Sequence, residues 1–292
     1  MKKFILILFL FYTQFSLANE IKVVTTTTVI YDLVRNIGGD KVEVDYLSRG
    51  DQDIHFLEIL PSYMIKLRNA DIFFEIGLQL EMWAPQLIDG SRNSNLNVVY
   101  LSDGISPLEV PTKKVDASQG DVHPYGNPHY WLDPDNAKIM VNEIYDALTS
   151  QSSEDEPYFK KNLDNYLTEL DKKIIEWNNK MSQLKQKEVI FFHSSWIYFA
   201  NRFGLQIAGY VEPKPGIPPT PSHNADLIKI IQNKKIKLIV MDVFYSDNAP
   251  KQIASVTAVK VLKIPTQVFG LENIKSYIEL IDNIVNQITS NG

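Results

Sequence analysis

Five histidines carry most of the chemistry this 292-residue chain can offer: His55, His123, His129, His193 and His223. It has no cysteine, so no thiolate can serve as nucleophile or ligand. Neutral imidazole is a preferred donor for Zn²⁺ and its first-row neighbours, and three such rings supply most of a tetrahedral shell. A histidine can equally be a general base, or a packed group satisfied by a backbone carbonyl. For one isolated histidine the packed or surface role is the ordinary one. His55 and His129 are 74 residues apart, and His129 and His193 are 64 apart. No local motif joins them, so only the fold can bring them together.

The elements that would do so read as alternating strand and helix. "IKVVTTTT" (21–28) and "KVEVDYL" (41–47) have strand character, with the helical spacing of "VIYDLVRNIGG" (29–39) between them. A helix at 61–70, a strand at 71–77, a helix at 80–89 and a strand at 97–104 follow. A polar loop (109–128) leads to a helix over 134–151. The segment 156–188 then places Phe159, Leu163, Tyr166, Leu170, Ile174, Trp177, Met181 and Leu184 on one stripe. A helix of that length spans about 45 Å at 1.5 Å per residue, enough to tie two lobes together. The alternation then restarts. Strands are expected at 188–193, 205–212, 236–245 and 264–270, with helices at 194–204, 223–235, 249–259 and 273–289. The fold class is therefore α/β: two parallel-sheet lobes joined by one long rigid helix. The expected divisions are 19–154, 155–187 and 188–292. His55, His129 and His193 all fall at or after the C-terminal ends of strands, where open α/β sheets bind ligands.

"MKKFILILFLFYTQFSLANE" opens with basic Lys2 and Lys3, runs apolar from Phe4 to Tyr12, and ends in small residues around Ala18. That is the pattern of a secretory signal over residues 1–18, so export to the periplasm is expected. Without cysteine, neither a disulfide nor a cysteine-linked lipid anchor is expected. A net charge of −6 argues against a nucleic-acid partner, which needs a basic footprint. "TTTT" (25–28) lacks the glycines of a phosphate cradle.

The strings "TTTTVIYDLVRNIGGD", "DQDIHFLEILPSYM", "GNPHYWLDPDNA", "VIFFHSSWIYFANRFG" and "EPKPGIPPTPSHNADL" together resemble the metal-binding receptors of cluster A-I ABC importers. These are the periplasmic zinc and manganese solute-binding proteins, and the likeness runs through nearly the whole mature chain. The resemblance implies a metal held between the lobes and a membrane ABC permease as partner. It makes His55 and His129 the first-lobe ligands and His193 the first ligand of the second lobe. Manganese-type members tend to carry a carboxylate at the place of His193, so Zn²⁺ is the expected cargo and Mn²⁺ the alternative.

One departure stands out. Many members supply an aspartate after the last strand, and Val268 stands about where it would be. Glu272 is the nearest carboxylate and a possible fourth ligand; Asp242 or a water could also complete the shell. His123 reads as a solvated loop residue, with auxiliary metal capture as the alternative. His223, at a helix start, reads as a surface residue. Trp131 and Trp196 are expected to wall the cleft. The function expected is capture of Zn²⁺ by a monomeric, non-enzymatic receptor. The alternatives are a manganese or iron receptor, a secreted zinc hydrolase lacking an H-E-x-x-H motif, or a surface protein with an incidental metal.

Overall fold

A computed structural model describes residues 20–116 and 119–292; the signal segment expected at 1–18 lies outside the described residues. Two four-stranded parallel sheets form the frame. The first contains β1 (Ile21–Thr25), β2 (Val42–Tyr46), β3 (Ile72–Glu75) and β4 (Asn97–Tyr100), in the order β2-β1-β3-β4. The second contains β5 (Glu188–Phe191), β6 (Gln206–Tyr210), β7 (Leu238–Met241) and β8 (Lys260–Lys263), in the order β6-β5-β7-β8. The inner strands β3 (IFFE) and β7 (LIVM) are buried at every position, because helices cover both faces of each sheet.

Helices α1 (Thr28–Gly38), α2 (Pro61–Arg68), α3 (Ala84–Ser91) and α4 (Pro134–Gln151) belong to the first lobe. The long helix α5 runs from Glu156 to Ser182, 27 residues, or about 40 Å. Its buried face is Phe159, Leu163, Tyr166, Leu170, Ile174, Trp177 and Met181, the stripe expected from the sequence. α5 packs on α1 and α4, and on α6 (Ile197–Phe203) and α9 (Tyr277–Asn291) of the second lobe. Helices α7 (Pro221–Lys234) and α8 (Asn248–Ser255) complete that lobe. No helix among the described residues is long and apolar enough to cross a membrane.

The lobes do more than share a helix. One apolar core continues from the first sheet through α5 and α9 into the second, with a smaller cluster around Ile190, Leu227, Ile239 and Ile253. Hydrogen bonds cross between them in the buried interior. Thr28 Oγ1 donates to the Val268 carbonyl at 2.6 Å, Trp131 Nε1 to the Thr266 carbonyl at 2.8 Å, and the Tyr277 hydroxyl to the Trp131 carbonyl at 2.7 Å. The Tyr277 backbone N–H donates to Asp32 Oδ2 at 2.8 Å. Gly50 lies so close to this seam that a Cβ there would sit 2.0 Å from the Val268 carbonyl oxygen.

The long helix ends at Ser182 rather than 188, and two other elements differ more in kind from the sequence expectation. The last strand is Lys260–Lys263, not 264–270. It is an edge strand whose end lysines are exposed and which buries only Leu262 fully, so its apolar signal is weak. The apolar residues Ile264 and Val268 instead pack a turn into the core. The helix expected at 80–89 begins at Ala84, because Gly77, Leu78 and Gln79 adopt positive φ (86°, 54° and 63°).

That turn is held by Glu81, whose carboxylate accepts from Thr26 Oγ1 and from the N–H groups of Ile76 and Gly77. Glu75 lies beside it, 4% exposed, with Oε1 lacking any partner. Burial, and then the Glu81 charge, push Glu75 up to about 8. Burial raises Glu81 as well, but three donors favour charge on it while Glu75 Oε1 has none, so Glu75 holds the proton. Between pH 4.5 and 8 the folded state therefore binds more protons at Glu75 than the unfolded state. Stability falls as pH rises through that window. Glu75→Gln should raise the melting temperature at pH 8 by about 5 °C, on the order of 2 kcal/mol. It should change little at pH 4, and thermal melts at the two pH values check this.

Candidate metal centre

The C-terminal ends of the two sheets face each other, and three histidines meet there. His55 sits in a single 3₁₀ turn (Ile54–Phe56) after β2. His129 precedes a similar turn (Tyr130–Leu132) that feeds α4. His193 lies two residues past β5. Their ring centroids form a near-equilateral triangle: 5.1 Å for His55–His129, 5.6 Å for His55–His193 and 5.6 Å for His129–His193. One nitrogen from each lies within 4.8 Å of the other two. The three side chains are buried, that of His55 being 5% exposed.

Each ring is gripped on the far side. His55 Nδ1 bonds to Asp53 Oδ1 at 2.7 Å, His129 Nδ1 to Asn127 Oδ1 at 2.9 Å and His193 Nδ1 to Glu212 Oε2 at 2.8 Å. Asp53 and Asn127 also accept the backbone N–H of the histidine two residues on. The Asn127 amide is oriented in turn, since its Nδ2 donates to Glu109 Oε2 and to the Ser194 carbonyl. These acceptors keep the proton on Nδ1, so each Nε2 lone pair is directed into the shared space. The carboxyl groups of Asp53 and Glu212 behind the rings match the two charges of a divalent cation.

The electrostatics differ ring by ring. Burial, reinforced by the neighbouring imidazoles, holds His129 well below the usual histidine range, so it is neutral and ready to ligate. Burial also lowers His55, but the Asp53 hydrogen bond and charge, with Asp121, outweigh it and raise its pKa above 6.5.

Asp242, Thr266, Gln267, Trp131, Phe244 and Tyr245 also border the histidine pocket. Asp242 follows β7 directly rather than lying within it, is 2% exposed, and has Oδ1 without a partner. Burial, partly offset by hydrogen bonds from Thr266, raises it to about 8. Its oxygens do not join the tight group of histidine nitrogens. Glu272 is exposed and is not among the residues bordering the pocket. At the turn after β8 the pocket meets Thr266 and Gln267. Val268, placed by the sequence reading where an acid would stand, is wholly buried at the lobe seam.

Three further expectations are corrected or refined. His123 is not a solvated loop residue: it is 8% exposed, with its ring 5.5 Å from that of His55. His223 is half-buried, and its Nε2 bonds to the Tyr210 carbonyl at 2.9 Å, a structural role away from the triangle. Trp131 walls the site, with its ring 5.3 Å from His129. Trp196 instead stacks on Phe191 in the core. The gripping residues Asp53, Asn127 and Glu212 were missed by sequence reasoning. The repeated acceptor-x-His spacing in "DIH" and "NPH" was the available signal.

Residues 23–291 match the family described as zinc-uptake complex component A, periplasmic. The chain belongs to that family. It is a metal-binding receptor of ABC importers. The iron-binding protein YfeA of Yersinia pestis is 26% identical over 280 residues, covering 93% of this chain and 86% of YfeA. The manganese ABC transporter substrate-binding lipoprotein PsaA of Streptococcus pneumoniae is 24% identical over 249 residues, covering 83% of this chain and 78% of PsaA. The crystal structure of ZnuA superposes with a TM-score of 0.82 at 23% identity, over 94% of this chain and 99% of that one. At that identity the superposition speaks for the fold: two parallel-sheet lobes linked by a long helix. YfeA and PsaA are named for binding a metal, not for catalysis.

The grip on His193 can be tested directly. Glu212→Gln keeps an acceptor oxygen but removes the charge and leaves the amide orientation open. It should weaken Zn²⁺ binding by about 10–100-fold, the usual effect of losing an outer partner. Competition against a chromophoric chelator would measure it.

Proposed function

We propose that this protein captures Zn²⁺ between its lobes in the periplasm and delivers it to a membrane ABC permease, with the cation as cargo. The observation that carries the reading is the His55–His129–His193 triangle, whose ring nitrogens lie within 4.8 Å of one another and are contributed by both lobes. Three imidazoles whose Nδ1 protons are fixed by acceptors, each leaving an Nε2 lone pair for the cation, suit zinc, whereas manganese favours oxygen donors. A water would complete a tetrahedral shell, with Asp242 bordering the pocket but outside the group of ligand nitrogens. Membership of a family described for zinc uptake supports the same cargo.

A manganese or iron receptor is the second reading, supported by the metals for which PsaA and YfeA are named. Equilibrium competition decides between them. The metal-free protein should bind one equivalent of Zn²⁺ and keep it against a large excess of Mn²⁺. Its melting temperature should rise with stoichiometric Zn²⁺. Displacement of zinc by equimolar Mn²⁺ or Fe²⁺ would overturn the zinc assignment. Hydrolysis of ester or phosphate substrates by the zinc-loaded protein would overturn the receptor role in favour of an enzyme.

A further inference from the structure

A second set of donors touches the first. The ligand atoms of His55, Asp121 and His123 also lie within 4.8 Å of one another. His55 belongs to both sets, and its Nδ1 is taken by Asp53. Only Nε2 remains to serve either set; it is buried and has no hydrogen-bond partner. Asp121 Oδ2 stands 3.5 Å from that atom.

His123 is prepared in the same way as the three rings of the triangle. Its Nδ1 lies 3.2 Å from the Gln79 carbonyl oxygen. A carbonyl can only accept, so the proton is fixed on Nδ1 and the lone pair on Nε2. That Nε2 is buried and has no partner, an arrangement that costs free energy unless a cation or water is its counterpart. The Gln79 carbonyl is presented by the left-handed turn at Leu78 and Gln79, the turn that Glu81 holds.

Position separates the two sets. Asp121 and His123 border a cavity of about 430 Å³ that also meets Glu109, Tyr210, Glu212 and Lys214 and opens between the lobes. His129 and His193 border the inner pocket with His55. The Asp121 backbone N–H donates to the Pro215 carbonyl at 2.9 Å, so residues of both lobes frame the outer cavity.

Building on the receptor reading, we propose that His55, Asp121 and His123 form an outer transit position for a divalent first-row transition cation, from which His55 passes it inward. The donor set of two imidazoles and a carboxylate suits such a cation with waters completing its shell. One lone pair on His55 Nε2 cannot bond two cations, so the positions fill alternately. On entry Asp121, His123 and His55 replace waters; His129 and His193 then replace Asp121 and His123 while His55 keeps its bond. Release retraces those steps.

The test uses the full chain and Zn²⁺ in stopped flow, with association followed directly and release driven by EDTA. In Asp121→Asn/His123→Gln both rate constants should fall together by about tenfold or more, because a stepping stone serves both directions. Asp121→Asn alone, at a side chain 23% exposed, should show the same sign and guards against misfolding of the double variant. In His193→Ala, where the inner set is broken, residual Zn²⁺ binding should weaken a further ~10-fold when His123→Gln is added. Rates equal to wild type would overturn the transit position. So would a slower association with unchanged release, which assigns these residues to steering alone. Failure of the wild type to bind Zn²⁺ would instead sink the receptor reading itself.

Discussion

His129→Ala should lower Zn²⁺ affinity by about a thousandfold, beyond the ~10–100-fold typical of losing an outer partner, in a protein that still folds. His129 is committed to the neutral form, held there by burial and by the neighbouring imidazoles. Its nitrogen is one of three that converge, and the nearby Asp242 oxygens stand outside that convergence. The loss of structure should be modest. Asn127 Oδ1 keeps the backbone N–H of residue 129 as a donor, and its amide keeps Glu109 and Ser194. Truncating one buried ring should cost about 2–3 kcal/mol, or roughly 5–10 °C in a single cooperative transition. Chelator competition and calorimetry on the same sample check both halves. Zinc affinity within tenfold of wild type would remove His129 from the ligand set.

Acidification should have the next largest effect, and His55 should set its onset. A ligating imidazole must shed its proton, so each competing proton lowers apparent affinity about tenfold per pH unit below its pKa. His55 is raised above 6.5, since Asp53 and Asp121 outweigh burial. Its proton therefore competes already near neutrality. His129 is lowered and adds no competition until far more acidic conditions. Zinc affinity should thus fall by about a hundredfold between pH 7.5 and 5.5. Asp53→Asn removes the partner that raises His55, so the onset of the fall should move to lower pH. A flat affinity down to pH 5 would rule out histidine ligation. An onset unmoved by Asp53→Asn would detach it from His55.

The sequence made some of this legible and hid the rest for identifiable reasons. The stripe on α5 was readable because seven buried positions repeat at helical spacing on one face. The three histidines were readable as a group because α/β alternation places each beyond a strand end. The edge strand Lys260–Lys263 was not, since its end lysines point to solvent while the more apolar segment after it packs a turn. The shifted start of α3 arose from Glu81, a buried carboxylate that organises a left-handed turn through contacts no local pattern encodes. His123 looked like a polar-loop residue because its burial comes from the other loops around it. Gln267 replaced Val268 at the pocket because the turn after β8 is fixed by distant partners: Thr28 on the Val268 carbonyl and Trp131 on the Thr266 carbonyl.

The bond from the Tyr277 backbone to Asp32 joins residues 245 positions apart, and α9 packs against α1 as well as α5. The segment that closes the first lobe is thus synthesised long after α1, the helix it covers. A nascent chain lacking residues 277–291 leaves Asp32 and the adjoining apolar surface uncovered, so the opening half cannot mature ahead of the closing half. Maturation of the first lobe therefore waits for α9 to be made and to dock.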